Sequence, residues 1–329
     1  MQFKRVKSMD LDFSVIGFGC WGASGEPSWG GHTDEEQIRA IHTAIDGGIN
    51  FFDVAPVYGL GHAESVLGKA LKGRRDDVII GTKCGLPWDS KNNVRNDVTR
   101  DVIIKEIDES LQRLGVDYVD LYQVHWPSAD GVEIEETTFG LAEILRSGKA
   151  RYIGLSNYSV SDAKEAGQFI KIASMQGLYN MIERNADKYH NIPLQYRVEK
   201  EVLPFTKSEG MAFFPYSPLF QGLLSGEFIR RQEFKAGDVR NSNPKLKGAL
   251  YRKYFRLAQT LSELSAEMGK PLNEVALNWL IAQEEVTSVI AGVRNADQVT
   301  RNLKALDWKM DNSIMRAINK YVDGADLEL

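Results

Sequence analysis

Short apolar runs alternate with longer stretches in which apolar residues recur every three to four positions, and this alternation continues along the whole chain. The opening pieces, Phe3 to Val6 and Leu11 to Val15, flank Ser8-Met9-Asp10 and read as a hairpin. Apolar runs then begin at Val15, Ile49, Val78, Tyr118, Arg151, Ala173, Met211 and Thr287. Helical patterns separate them. Thr33 with Glu36 three residues on is a capping box, Ile38, Ile41 and Ile45 form an inward stripe, and Gly47-Gly48 stop that helix. A second helix is expected from about Gly61 to Gly73, with Glu64 complementing its N-terminus. Thr99 opens a longer one with Ile103, Ile107, Leu111 and Leu114 inward and Gly115 as its stop. Others are expected from about Ile134 to Arg146, Val160 to Ile170, Pro193 to Ser208, Leu250 to Met268, Leu272 to Gln283, Ala296 to Ala305 and Asn312 to Val322. Runs that are apolar throughout belong to strands buried on both faces, hence to a parallel sheet covered by helices. Eight such units predict an α/β fold, a (β/α)8 TIM barrel forming one domain over residues 1–329, with a short N-terminal β-hairpin and extra C-terminal helices. A doubly wound open sheet is the alternative.

Composition narrows the class. The chain has 329 residues, 43% hydrophobic and 26% charged, with a net charge of −5, an ordinary profile for a globular protein. That balance gives no reason to expect nucleic acid or an acidic membrane surface as a partner. No apolar run approaches the roughly 18–20 residues of a membrane span, and the first residues lack a signal-type apolar core. The two cysteines, Cys20 and Cys84, build neither a disulfide framework nor a zinc site, so a reducing cytoplasm is the expected location. His32 and His62 have no ligand partners at useful spacing, and no metal is expected.

Gly17-Phe18-Gly19-Cys20-Trp21-Gly22 matches the glycine fingerprint of dinucleotide folds. That fingerprint needs a helix opening directly after it, whereas here the helical pattern starts only near Asp34. The glycines are read instead as a close backbone approach to a ligand at a barrel mouth.

Three successive apolar runs end in an ionisable residue, Asp53, Lys83 and His125, and Tyr58 follows Asp53 by five positions. In a barrel the strand ends share one mouth, and adjacent strands lie about 5 Å apart, so these groups can converge. Singly, each has a plain reading as a turn residue, a surface cation, a loop aromatic or a rim histidine; jointly they suit carbonyl reduction. A carbonyl that receives hydride needs a proton, and a phenol is a poor acid at neutral pH. A lysine ammonium at about 4 Å attracts a phenolate by about 4 kcal/mol at an effective dielectric of about 20, so Lys83 is expected to lower the Tyr58 pKa. Asp53 would keep Lys83 charged and aimed, and His125 would hold the carbonyl oxygen.

The chain resembles the aldo-keto reductase superfamily through Asp53-x4-Tyr58, Gly61-x2-Glu64-x2-Leu67-Gly68, Lys83, Leu114-Gly115-x2-Tyr118-x-Asp120-Leu121, His125-Trp126-Pro127 and Gly154-Leu155-Ser156-Asn157. It is most similar to the bacterial inositol-locus and general-stress type. The resemblance implies Asp53, Tyr58, Lys83 and His125 as catalytic tetrad, with Tyr58 the general acid in reduction. It also implies an extended nicotinamide dinucleotide. Gly19, Cys20 and Trp21 would line the nicotinamide side; Ser156, Asn157 and Gln176 would bond its carboxamide; Tyr216 would stack on its ring. Ser217, Pro218, Leu219, Gln221, Gly222 and Leu223 resemble a pyrophosphate-covering loop. Gly292, Arg294, Gln298 and Asn302 resemble the adenosine-end motif, where Arg294 and Arg240 can fork a 2′-phosphate. Glu227 stands where many relatives carry Lys, and Arg301 where many carry Glu. On balance NADPH/NADP+ is expected, with NADH/NAD+ as the other cofactor. Trp21, Trp29, Trp88 and Trp126 would wall a pocket for a small carbonyl or sugar substrate. The function implied is NAD(P)H-dependent reduction of aldehydes, ketones or sugars. The alternatives are a sugar or polyol dehydrogenase and a non-catalytic NADPH-sensing regulatory subunit, the latter disfavoured by His125. Oligomeric state is not indicated.

Overall fold

The structure is a computed structural model that describes residues 1–25, 33–228, 233–234, 236–325 and 327. Eight parallel strands form one sheet: β1 (Ile16–Gly19), β2 (Phe51–Asp53), β3 (Ile79–Cys84), β4 (Val119–Val124), β5 (Ala150–Ser156), β6 (Ile172–Leu178), β7 (Ala212–Tyr216) and β8 (Val289–Gly292). Their order is β7-β6-β5-β4-β3-β2-β1-β8. The Thr287 N–H donates to the Phe213 carbonyl at 2.9 Å and bridges the seam where β8 approaches β7. The sheet is thus a nearly closed (β/α)8 TIM barrel, as expected.

Helices wrap it: α1 (Asp34–Asp46), α2 (His62–Ala70), α3 (Arg100–Leu114), α4 (Ile134–Arg146), α5 (Val160–Ala166), α6 (Leu203–Glu209), α7 (Gly248–Glu267), α8 (Leu272–Ile281), α9 (Ala296–Leu303) and α10 (Asn312–Asp323). The α1 capping box forms in both directions, and Gly115 ends α3 at φ 66. Glu64 lies in the first turn of α2, as expected, and has a further role. It is fully buried, accepts from Thr82 Oγ1 at 2.6 Å and pairs with Arg113 Nε at 2.6 Å, tying α2 to β3 and α3. The helix expected from Pro193 is also different. A two-stranded hairpin, Lys188–Tyr189 with Ile192–Pro193, comes first, then a π-turn over Val198–Val202 that leads into α6.

Residues in a strand point alternately inward and outward. Phe51, Ile79, Leu121, Ala212, Phe214 and Ile290 therefore fill the barrel interior. The N-terminal hairpin, Phe3–Val6 with Leu11–Ser14, plugs this floor: Phe13 lies 5.2 Å from both Phe51 and Phe214, ring centre to ring centre. Lys4 Nζ anchors the plug by donating to Val286 O at 2.6 Å and Gln283 O at 3.0 Å. A Cβ on Gly17 would sit 2.8 Å from the Phe51 ring, so a glycine is required there for packing. Two residues up from two of these floor residues, the interior turns polar: Asp53 above Phe51, Gln123 above Leu121.

Candidate active site

That polar layer is the base of the site. Lys83 is two residues above Gly81, whose missing side chain leaves room for the Phe51 ring, 3.1 Å from where its Cβ would be. The Lys83 ammonium is fully buried and donates to Asp53 Oδ2 at 2.7 Å, Val54 O at 3.0 Å and Tyr58 Oη at 3.3 Å. Its three protons thus have three acceptors. The other carboxylate oxygen, Asp53 Oδ1, accepts from Gln176 Nε2 at 3.0 Å and Gln123 Nε2 at 3.3 Å. A buried cation survives because a carboxylate matches it, and the carboxylate survives because two amides complete its shell.

Tyr58 lies on the loop after β2. Its ring stacks on Trp21 at 5.5 Å with an interplanar angle of 8°, and meets the His125 ring edge-on at 5.9 Å. Because Lys83 donates to Tyr58 Oη, the phenol's own proton is left to point into the cavity. Burial raises the Tyr58 pKa well above the ordinary phenol value, and the charge of Asp53 and then Cys20 push the same way. This corrects the expectation that Lys83 draws the phenol down: Asp53 matches the lysine charge at 2.7 Å, so desolvation decides. Burial, and then Lys83, hold His125 well below the usual imidazole range, so it is a neutral hydrogen-bonding group.

One cavity of about 830 Å³ opens over these residues. Its lining includes Gly19, Cys20, Trp21, Asp53, Tyr58, His125, Trp126, Ser156, Asn157 and Gln176. On the β7–β8 side it includes Tyr216, Ser217, Pro218, Leu219, Gln221, Gly222, Arg240, Gly292, Arg294, Gln298 and Asn302. Among the described residues named from the sequence, three are not in it, the first being Lys83, which is fully buried behind Tyr58. Leu223 is buried, Trp88 packs under the Arg113 guanidinium at 5.6 Å, and Trp29 lies outside the described residues, as does His32. Among the described residues, no three metal-ligating side chains cluster.

Several amides are already engaged. Asn157, at φ 65, donates to His125 O at 3.0 Å and Ser156 Oγ at 3.1 Å, and accepts from the hydroxyls of Tyr196 at 2.9 Å and Tyr216 at 2.8 Å. It braces the rim, and Tyr216 is oriented through it. Arg240 grips Asp238 with Nε at 2.9 Å and Nη2 at 2.6 Å, and Arg301 pairs with Glu227 at 2.6 Å across the cavity edge. The glycine motif divides by role. Gly19 and Gly22 reach the cavity, whereas Gly17 lies below it; a Cβ on Gly22 would fall 2.2 Å from the Val293 carbonyl. Among the described residues no α-helix opens directly after them: a 3-10 turn spans Cys20–Ala23 and α1 begins at Asp34.

Two contributors were missed from the sequence. Gln123 was readable in principle, since it lies two residues before His125 and shares its inward face. Tyr189 lines the cavity from the small hairpin, 6.2 Å from Trp126 and 5.4 Å from Tyr216, and no local pattern marks it.

A long cleft across a barrel mouth fits an extended dinucleotide. It has backbone N–H groups and a helix start on its β7–β8 side, and a phenol and an imidazole at its centre with a buried ammonium behind the phenol. This combination defines an oxidoreductase of the barrel type that works with a nicotinamide cofactor. The Aldo/keto reductase family matches residues 15–323, and the chain belongs to that family. The chain is 32% identical over 326 residues to Aldo-keto reductase YhdN of Bacillus subtilis (strain 168), covering 98% of this chain and 94% of that protein. It is 31% identical over 330 residues to the NADH-specific methylglyoxal reductase of Escherichia coli (strain K12), covering 95% and 97%. The solved glycerol dehydrogenase AKR11B4 from Gluconobacter oxydans superposes with a TM-score of 0.87 at 30% identity, covering 99% of this chain and 97% of that one.

Proposed function

We propose that the protein reduces an uncharged aldehyde, ketone or sugar carbonyl to the alcohol, with Tyr58 as proton donor and Asp53, Lys83 and His125 as the rest of a catalytic tetrad. The observation that carries this reading is the Lys83 ammonium held between Asp53 at 2.7 Å and the Tyr58 oxygen at 3.3 Å. The bound dinucleotide supplies hydride. The chain's own residues do the rest. The neutral His125 holds the carbonyl oxygen near Tyr58, and Tyr58 gives that oxygen its proton as negative charge builds on it. Lys83 then faces the phenolate left behind. The raised phenol pKa keeps Tyr58 protonated before reaction, and the ammonium limits the cost of losing that proton.

The described walls near Tyr58 are Trp21, Val57, Leu86, Trp126 and Tyr189. They carry no cation, which supports an uncharged substrate. The cations of the lining, Arg240, Arg294 and Arg301, lie on the β7–β8 side. There Arg294, just before α9, favours the 2′-phosphate of NADPH. The Asp238 grip on Arg240 and the Glu227–Arg301 pair soften that preference, so NADH is also accepted, though less tightly than NADPH. The same groups run in reverse as an alcohol dehydrogenase, a second reading favoured by the likeness to a structure named a glycerol dehydrogenase. The two buried free thiols, Cys20 and Cys84, suit a reducing cytoplasm.

The test combines binding and turnover. NADPH should quench the tryptophan fluorescence of both the wild type and Tyr58→Phe. The variant should lose reduction of a test aldehyde by at least about a hundredfold. Turnover at the wild-type rate in Tyr58→Phe would remove the phenol from the mechanism.

A further inference from the structure

Beside the cavity, five hydrogen bonds join three separate segments, and their directions are fixed. The Lys245 backbone N–H donates to Asn243 Oδ1 at 3.0 Å. That orients the Asn243 amide, whose Nδ2 donates to Gln221 Oε1 at 2.9 Å. Gln221 Nε2 must then face His190 Nε2, 2.7 Å away, as the donor. His190 Nε2 is therefore the lone-pair nitrogen, and Nδ1 carries the proton toward Ser242 Oγ at 2.7 Å. Ser242 Oγ passes its own proton to Val239 O at 2.7 Å. The run begins and ends on the backbone of residues 239–245, and of the imidazole's three protonation states only the neutral Nδ1–H tautomer completes it.

Each linked segment contributes cavity wall: Tyr189 beside His190, Gln221 with Gly222, and Val239 with Arg240. The Gln221 segment is unlike a self-sufficient turn. Ser217, Phe220 and Gln221 have φ values of 55, 48 and 52, a region that L-residues occupy only when neighbours hold them there. Asn180 Nδ2 on Ser217 O at 3.2 Å holds one end, and the His190 run holds the other. Lys245 pairs with the buried Glu183 and also donates to Lys188 O at 3.1 Å, fixing residues 239–245 to the hairpin that carries His190.

We propose that His190 is a positioning residue whose neutral imidazole locks the Phe220–Ser225 loop, residues 239–245 and Tyr189 into one wall, so that retention of the dinucleotide and the shape of the carbonyl pocket are set together. The proposal rests on the reading of the cavity as a nicotinamide-dinucleotide site. His190 itself is absent from the cavity lining and touches no reacting atom. Its loss should act on affinity and leave the Tyr58–Lys83 chemistry alone.

His190→Phe removes both hydrogen bonds while keeping a ring beside Tyr189, which lies 4.5 Å away. His190→Gln retains one acceptor and one donor. Asn243→Asp breaks the run at Gln221 by setting oxygen against oxygen, with little change in volume. We expect His190→Phe and Asn243→Asp to raise the NADPH dissociation rate, and the KM values for NADPH and carbonyl, by about tenfold. At saturation kcat should stay within about twofold, and His190→Gln should recover most of the loss. Wild-type dissociation rates and KM values in both disruptive variants would overturn the latch while leaving the oxidoreductase reading intact. So would an equal defect in His190→Phe and His190→Gln. Absence of NADPH and NADH binding to the wild type would overturn both.

Discussion

Tyr58 and His125 are each held by burial in the protonation state that carbonyl reduction needs. The phenol lies well above its ordinary value and the imidazole well below. The proposed reduction uses the phenol with its proton and a neutral imidazole that donates a hydrogen bond. The rate of reduction should therefore be flat from about pH 6 to about pH 9, with no inflection near the ordinary histidine value of about 6.5. Alcohol oxidation starts from the phenolate, so its rate should climb with pH across the same range. pH–rate profiles measured in both directions check this; a fall in reduction on protonating a group near pH 6.5 would contradict the environment assigned to His125. At this scale the convergence of Asp53, Tyr58, Lys83 and His125 was legible because strand ends meet at one mouth of a barrel. The sign of the Tyr58 shift was not, because it depends on how completely Asp53 cancels Lys83, a matter of a 2.7 Å contact and not of spacing along the chain.

The elements that position these residues are tied together by buried carboxylates that the sequence pattern leaves ambiguous. Glu106 on α3 accepts the Gly85 N–H at 2.6 Å, just past the end of β3, while its Oε1 is buried without a hydrogen-bond partner. Burial pushes its carboxyl up to about 7, against the pull of the Gly85 bond; nearby Glu109 and Glu64 add to the rise and Arg113 opposes it. The folded pKa thus exceeds the unfolded value of about 4.5. The folded state binds the proton more tightly, so this stability contribution is full below about pH 4.5 and is lost as pH rises through about 7. Glu106→Gln keeps an oxygen for Gly85 and carries no charge. It should be close to neutral at pH 4.5 and more stable than wild type at pH 8 by up to about 3 kcal/mol, read from denaturant unfolding at the two pH values. Element boundaries with local causes, such as the Thr33 capping box and the Gly115 stop, were legible. The hairpin at Lys188–Pro193 was not. Its two-residue turn puts His190, not a glycine, at φ 54, and that conformation is sustained by the Gln221 and Ser242 contacts far along the chain.

Across the whole molecule the barrel divides into an apolar floor and a polar mouth, set by successive inward side chains of the same strands. The eightfold alternation and its parallel character were legible because each strand is buried on both faces. Which inward residues are apolar and which carry chemistry follows from the period of two within a strand: Phe51 then Asp53, Leu121 then Gln123 then His125. The hairpin plug makes the floor a separate structural unit from the site. Phe13 is fully buried against Phe51 and Phe214, and Phe51 is the residue beneath Asp53. Truncating Phe13 to alanine should cost about 3–5 kcal/mol, the range for a buried aromatic side chain. The hydrogen bonds that orient Lys83 come from Asp53, Val54 and Tyr58, and those that orient Asp53 come from Gln123 and Gln176, none of them in the plug. Below its unfolding transition, Phe13→Ala should therefore keep kcat within about twofold while its urea midpoint falls. If the floor instead sets the height of Asp53, kcat would drop in parallel with stability at temperatures where the protein is fully folded. Paired activity and circular-dichroism measurements on the same samples distinguish the two outcomes.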